Sequence, residues 1–273
     1  MAVKKKSRLK RFFSLTKTGI IRALNFRGAF FIGLAGQIVF IIAIFFLWRA
    51  IYAASPTEVV NGMTFKDTLI YLVLANAIFN MTNVYIVYNI CDDIQSGKIV
   101  LDLLKPVHYF LIRFGESCGM MMVQFIFSFI PSFIIIYFLS GQVINIGINL
   151  VFFFIGLVMA SVINFCFNLC FACFCFYTES CWGIDTLKNC IVTLLSGAVI
   201  PIAFFPDWLK TIVSFLPFPA IFNAPLQMLL GDNTSFSTYG YYLLLQVFWM
   251  IIMLAVSLLL WNKSVKALTI NGG

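Results

Sequence analysis

The chain has 273 residues, 62% of them hydrophobic and 10% charged, with a mean hydropathy of +1.01. Soluble domains are about 45–50% apolar and about 25% charged, so a soluble globular protein is excluded. What remains is an integral membrane protein of one domain, residues 1–273, because no polar block is large enough to fold separately. The net charge of +8 sits mostly at one end: Lys4, Lys5, Lys6, Arg8, Lys10, Arg11, Lys17, Arg22 and Arg27 precede residue 28. Beside an apolar span, such a cluster fits the preference of basic flanks for the cytoplasmic side. With no stacking aromatics or basic groove beside it, it speaks against a nucleic-acid partner.

Residues 1–28 are expected to be cytoplasmic and to include an amphipathic helix over 8–27. On a helical wheel Leu9, Phe12, Phe13, Thr16, Ile20, Ala23 and Leu24 share one face, with Arg11, Ser14, Thr18, Arg22 and Asn25 opposite. That is the pattern of a helix lying in the membrane interface; a plain basic flank is the alternative. The apolar run after Gly28 is too long for the ~7–15-residue core of a cleaved signal peptide, so the first span is expected to stay attached.

Crossing the hydrocarbon takes about 20 apolar residues of helix. The first span is predicted at 29–54 and the second at 67–90, the latter more polar through Asn76, Asn80 and Asn83. Between Ser117 and Thr178 no residue is charged; turn signals at 139–149 divide this run into spans at 118–139 and 146–177. The fifth span is predicted at 187–205 and the sixth at 240–261. With both termini cytoplasmic, fifteen of the 18 Lys and Arg lie inside, including Lys188 at the inner start of span five. Arg49, Lys66 and Lys210 lie outside.

Several chemistries have little to work with. His108 is the only histidine, so a His-based metal site or a Ser-His-Asp triad is not supported. Cys166, Cys170 and Cys173 share a helical face, with Cys175, Cys181 and Cys190 beyond. A soft-metal path is conceivable there, but no C-x-x-C pair repeats with zinc-like spacing, and cysteine packs readily in cores. Their position in the cytoplasmic half argues against disulfides. Arg49, Asp67, Glu179 and Lys188 all fall near predicted span ends, which leaves ion-coupled transport without buried charges. Gly97-Lys98 is followed by Ile99 and lacks the leading glycine of a phosphate-binding loop, so ATP would have to be bound by another chain. No catalytic residues and no metal ligands are assigned.

Two stretches remain. Residues 91–116, "CDDIQSGKIVLDLLKPVHYFLIRFGE", place Ile99, Val100, Leu103 and Leu104 among Lys98, Asp102 and Lys105, with Pro106 as the stop. A short amphipathic helix there is either a knob for a partner's groove or an interfacial linker. Residues 197–231, "GAVIPIAFFPDWLKTIVSFLPFPAIFNAPLQMLLG", hold five of the eight prolines, and a proline inside a helix costs roughly 3 kcal/mol. Pro201 and Pro206 end span five, and 208–216 and 220–230 are each too short to cross.

This layout resembles the membrane subunit of ABC exporters of the second type, the ABC-2 type permeases. The likeness rests on the basic N-terminal helix, the six spans, the 91–116 loop, and the "SG…IP…FFP…LPF…P…G" pattern from Ser196 to Gly231. It is closest to the variant whose permeases occur as paired, related subunits. It implies an all-α fold with six transmembrane helices, an N-terminal interfacial helix, and re-entrant helices between spans five and six, in the outer segment 206–239. It implies ABC ATPase subunits and a second permease, self or related, as partners in the bilayer, with ATP and Mg bound by the ATPase and no cofactor in this chain. Asp92, Asp93, Gln95, Ser96, Gly97, Lys98, Leu101, Asp102, Leu104, Lys105 and Pro106 would form the ATPase-coupling element. Gly197, Pro201, Phe204, Phe205, Pro206, Pro217, Phe218 and Pro225 would form an outer gate. The expected location is the plasma membrane of a bacterium. A polytopic membrane enzyme, a transporter or channel not driven by ATP, and a scaffold are the rival readings. The 32 phenylalanines fit a lipid, amphipathic peptide or drug-like substrate, and fit lipid-facing helices equally well.

Overall fold

In the computed structural model, the described residues are 8–25, 27–83, 85–141, 147–178, 180–231 and 236–267. Lys4–Lys6, Glu179 and the centre of the 139–149 turn lie outside them. The elements are α1 (Arg8–Asn25), α2 (Arg27–Ala53), a hairpin of β1 (Val59–Val60) and β2 (Met63–Thr64), α3 (Phe65–Thr82) and α4 (Ile86–Gln95). Then come α5 (Lys98–Leu103), α6 (Tyr109–Gln124), α7 (Ile130–Ser140), α8 (Ile148–Ala172) and α9 (Cys181–Leu195). The chain closes with α10 (Asp207–Ser214), α11 (Ala224–Leu230) and α12 (Phe236–Ser264). The protein is an all-α integral membrane protein. Among the described residues five helical stretches are long and apolar enough to span: Phe31–Ala53, Phe65–Gln95, Tyr109–Ser140, Ile148–Phe176 and Phe236–Ala267. The bent pair Asp207–Ser214 and Pro219–Leu230 would be a sixth if taken as one span.

Span five departs from its predicted limits. Its helix starts six residues earlier, where Ser180 accepts a hydrogen bond from the Gly183 amide, and stops at Leu195 rather than at 205. Gly197 then takes a left-handed φ of 79°. Its Cα lies so close to Ile202 and the Tyr71 hydroxyl that a β-carbon would come within 2.9 Å of each. Fifteen residues of helix rise only about 22 Å, less than the ~30 Å core. The remaining depth is irregular backbone whose Ser196, Gly197, Ala198, Pro201 and Phe205 are buried in protein, the setting in which such backbone is tolerated.

The contacts of α8 and α12 fix the direction of this segment. Tyr239, near the start of α12, stacks on Phe152 at 4.2 Å and donates to Asn149 near the start of α8. At the other ends Trp261 meets Phe176 at 5.7 Å. The two helices therefore run the same way, and the chain between them must return across the layer. Lys188 of α9 binds Asn83 and Asn168, at the end of α3 and in the second half of α8. The stretch after α9 brings Gly197 to Tyr71 near the start of α3 and Phe204 to Trp48 near the end of α2, so α9 with that stretch makes the return as a short crossing.

The two π-helical turns among the described residues share a proline cause. Residues Phe125–Phe129 and Pro219–Asn223 each close with an amide bonded five residues back, Ile130 to Phe125 and Ala224 to Pro219. A proline follows at once in each, Pro131 or Pro225, and it cannot donate to the next carbonyl. In the second turn the deprived carbonyl is that of Ala220. Gln246 of α12, fully buried, supplies the donor at 2.9 Å and also binds the Gly156 carbonyl at 3.0 Å. One side chain thereby joins spans four and six to the proline-rich segment.

The N-terminal helix packs more closely than an interfacial helix needs to. Phe12, Thr16, Ile20 and Ala23 of the predicted apolar face turn inward, while Leu9, Phe13 and Leu24 stay exposed. The contact runs along α6, whose Gly115 and Gly119 form the small-xxx-small spacing that lets backbones approach. A β-carbon on Gly119 would run into the Thr16 carbonyl oxygen, and one on Gly19 into that of Glu116. Gly119→Ala is expected to lower the melting temperature of the detergent-solubilised protein, since overpacking costs about 1–3 kcal/mol. Gly33→Ala, with nothing within 4 Å of the added carbon, is the control. Equal melting temperatures for the two variants would refute the contact.

Candidate coupling site

The second predicted loop is shorter than 91–116, because α4 runs to Gln95 and α6 begins at Tyr109. Gly97, with φ 69°, turns the chain between α4 and α5 in a backbone region open to glycine. The Ser96 hydroxyl closes the end of α4 on the Asp92 carbonyl at 2.6 Å. The expected apolar face of this loop is divided. Ile99 is fully buried and Asp102 is buried on the same side, whereas Leu101 and Leu104 are 64% and 79% exposed. Lys98, Lys105 and Pro106 are exposed with them, as are Asp92 and Gln95 at the end of α4.

Arg113 of α6 holds this arm from beneath. It is buried, pairs with Asp93 of α4, and reaches Asp102 of α5 at 3.4 Å and Glu116 at 2.7 Å. Its Nε donates to the Tyr109 hydroxyl at 3.1 Å, and that hydroxyl donates to Asp93 at 2.7 Å. Tyr109 stacks on Trp261 of α12 at 4.9 Å. Around the rim, Lys98 lies 3.6 Å from Asp93, Lys105 pairs with Asp102, and Arg22 of α1 lies 3.9 Å from Glu116. Arg22 also donates to Asn89 at 3.0 Å, and Arg11 donates to the Pro106 carbonyl at 3.5 Å. Guanidinium presents several donors in a fixed fork, so one residue can face three carboxylates and a hydroxyl at once. Arg113, Tyr109 and Glu116 were not singled out in the sequence. Their signal is the i, i+4 and i, i+3 spacing beside a loop that carries two aspartates.

A second polar group lies between spans two, four and five. Lys188, expected near the inner start of span five, is instead buried inside α9. It donates to Asp185 at 2.8 Å, Asn168 at 3.0 Å and Asn83 at 3.4 Å. Asn164 donates to the Thr82 carbonyl at 2.9 Å, capping the end of α3 where span two breaks. A cavity of about 10 Å³ between these groups has room for one water. The spans thus contain buried charges, at Arg113 and at Asp185–Lys188, that span-end positions did not lead us to expect.

The cysteines also require a correction. Cys181 is joined to Cys91 in a disulfide with a Cα–Cα distance of 5.9 Å, so the expectation of none in this half fails. Cys166, Cys170, Cys173 and Cys175 are free and buried. Among the described residues no group of three His, Cys, Asp or Glu side chains is arranged to hold a metal.

At the opposite end, Asp207–Ser214 and Pro219–Leu230 meet at a bend of 81°. Phe204 packs edge-on against Trp48 of α2 at 4.7 Å, and Phe218 against Phe167 of α8 at 5.5 Å. Gly197, Pro201, Phe205, Pro217 and Pro225 are buried, while Pro206 is exposed ahead of α10. Tyr71 of α3 reaches Asn223 at 3.3 Å. The segment predicted at 206–239 ends earlier, since α12 begins at Phe236.

The family model for the ABC-2 family transporter protein matches residues 38–272. The chain belongs to the ABC-2 transporter family. Its match runs from the middle of α2 to residue 272, so it takes in both the α4–α6 region and the bent segment. An ABC-2 family protein of this kind is the multi-pass membrane component of a transporter, not an enzyme, and membership implies association with an ABC ATPase. No curated protein and no solved structure matches the chain.

Proposed function

We propose that this ABC-2 family protein is the permease of an ATP-driven exporter, in which Leu101 and Leu104 seat in a groove of a partner ATPase. The observation that carries this reading is a pair of exposed leucines about one turn apart, Leu101 on α5 and Leu104 at its C-terminal cap. Behind them, the arm rests on the buried Arg113 through Asp93 and Asp102. A knob held this firmly passes a push from the ATPase to α4, α6 and α1 rather than yielding. ATP and Mg then belong to the partner. The coupling end, with both termini, faces the cytoplasm of a bacterium, in keeping with its excess of Lys and Arg.

The permease pairs with itself or a related permease, which agrees with the many apolar side chains that α2 and α12 leave exposed. The bent segment between α9 and α12, with Gly197, Pro201, Phe204, Phe205, Pro206, Pro217, Phe218 and Pro225, caps the outer end of the pathway. Purifying tagged protein from its native cells in mild detergent tests the assembly. A stoichiometric ATPase with a phosphate-binding loop is the expected companion, and a second permease sequence would mark a heterodimer. Recovery of this chain alone, even after cross-linking, would overturn the reading.

A further inference from the structure

We propose that Cys91 and Cys181 form a thiol switch that locks the coupling arm when oxidised. The inference rests on the coupling reading above, which puts this end of the bundle in the cytoplasm. Disulfides in that reducing compartment are usually transient and redox-sensing rather than structural.

Its position in the fold is the main ground. Cys91 lies in α4, two residues before the Asp93 that binds Arg113 and Lys98. Cys181 is the first residue of α9, four residues before the Asp185 that binds Lys188. The bond therefore ties the arm beneath α5 to the base of span five, between residues 90 apart in sequence. Disulfides keep their Cα atoms within about 4.4–6.8 Å. From 5.9 Å, α4 can draw away from α9 by only about 1 Å before that limit is reached.

The two sulfurs differ in access. Cys91 is fully buried, in one cluster with Val87 and Cys175. Cys181 lines an open pocket of about 400 Å³ together with Tyr88, Asp92, Gln95, Ser180 and Trp182, wide enough for a small thiol. The thiolate of a low-molecular-weight thiol attacks the Cys181 sulfur and the Cys91–Cys181 bond breaks. Cys91 leaves as a thiolate and takes up a proton. A second molecule of the thiol then resolves the mixed disulfide, freeing the Cys181 thiol and departing as the oxidised dimer of the reductant. Two electrons pass to the protein, and a low-molecular-weight disulfide reverses the sequence.

The test uses the permease–ATPase complex in lipid nanodiscs, equilibrated in glutathione buffers from fully reduced to fully oxidised. Peptide mapping without reduction reads the bond, and ATP hydrolysis reads the consequence. The expected result is a Cys91–Cys181 bond that forms in oxidised buffer, with loss of hydrolysis that reduction restores. Cys181→Ser should stay at the reduced rate in every buffer. A bond that never forms, forms with Cys175 or Cys190 instead, or forms without lowering hydrolysis would overturn the switch. Leu104→Asp in the Cys181→Ser background separates the two readings. Undiminished hydrolysis and ATPase retention there would overturn the coupling assignment, and the switch with it, whatever the bond does.

Discussion

Leu101→Asp and Leu104→Asp, each alone, are expected to stop ATP-dependent transport while leaving the amount of inserted permease and its melting temperature unchanged. Both side chains are mostly exposed in the free chain, and substitutions at such positions usually move stability by no more than about 0.5 kcal/mol. Seated in an ATPase groove, each leucine would contribute about 1.5–3 kcal/mol by burial. A carboxylate in its place forfeits that and must also be desolvated without a partner, which costs several kcal/mol more. The two effects add, so the complex falls apart or slips. The check is membrane level, melting temperature, ATPase retained in a pull-down and transport, measured on the same preparations. Wild-type transport in Leu104→Asp would remove α5 from the coupling role.

Arg113→Met should do the opposite, damaging the permease itself. Asp93 and Asp102 are both buried, and removing one partner of a buried ion pair costs roughly 3–5 kcal/mol because the other charge is left uncompensated. A clear fall in melting temperature and loss of the monodisperse peak in size-exclusion chromatography are expected. Arg113→Lys should recover part of the loss, since a single ammonium cannot face Asp93, Asp102, Glu116 and the Tyr109 hydroxyl together. Combining Arg113→Met with Asp93→Asn should cost less than the two changes summed, as members of one network do. An Arg113→Met variant as stable as wild type would show that the arm is held by packing alone.

The legible part of this protein was set by hydropathy. Spans one and four come close to their predicted limits because the bilayer demands about 20 apolar residues wherever a helix crosses, and that length is written locally. Span three instead starts at Tyr109 and span six extends past both predicted ends, since helices continue beyond the apolar run. The two short helices of the bent segment were legible for a similar reason, as Pro206, Pro217 and Pro219 restrict their own backbone and that of the residue before. Span five was misjudged because an apolar run does not say whether it is helical. Gly197 ends the regular structure by its φ and its contact with Tyr71, 126 positions earlier in the chain.

The amphipathic loop shows the same division. Its spacing marks a helix with leucines and charges but does not reveal which of them face the bundle. Ile99 and Asp102 go inward because Arg113 and the α6 surface are there to receive them, and Leu101 and Leu104 are left outside by default. The disulfide was missed for a related reason. Redox compartment is a statement about averages, whereas whether Cys91 meets Cys181 depends on α4 lying against α9.

By itself, then, the sequence determined that the chain is an all-α membrane protein with a basic amphipathic stretch at its N-terminal end, a charged loop after span two and a proline-broken segment before span six. These follow from composition and local backbone chemistry, which act over a turn or two of chain. The tertiary structure alone decided that Arg113 gathers three carboxylates from three elements, that Gln246 satisfies the carbonyl Pro225 deprives, and that Lys188 is buried among asparagines from two other spans. Apart from the local Arg113–Glu116 pair, these contacts join groups from 11 to 105 residues apart. What drives them is the high cost of leaving a charge or a backbone carbonyl unpaired inside an apolar bundle.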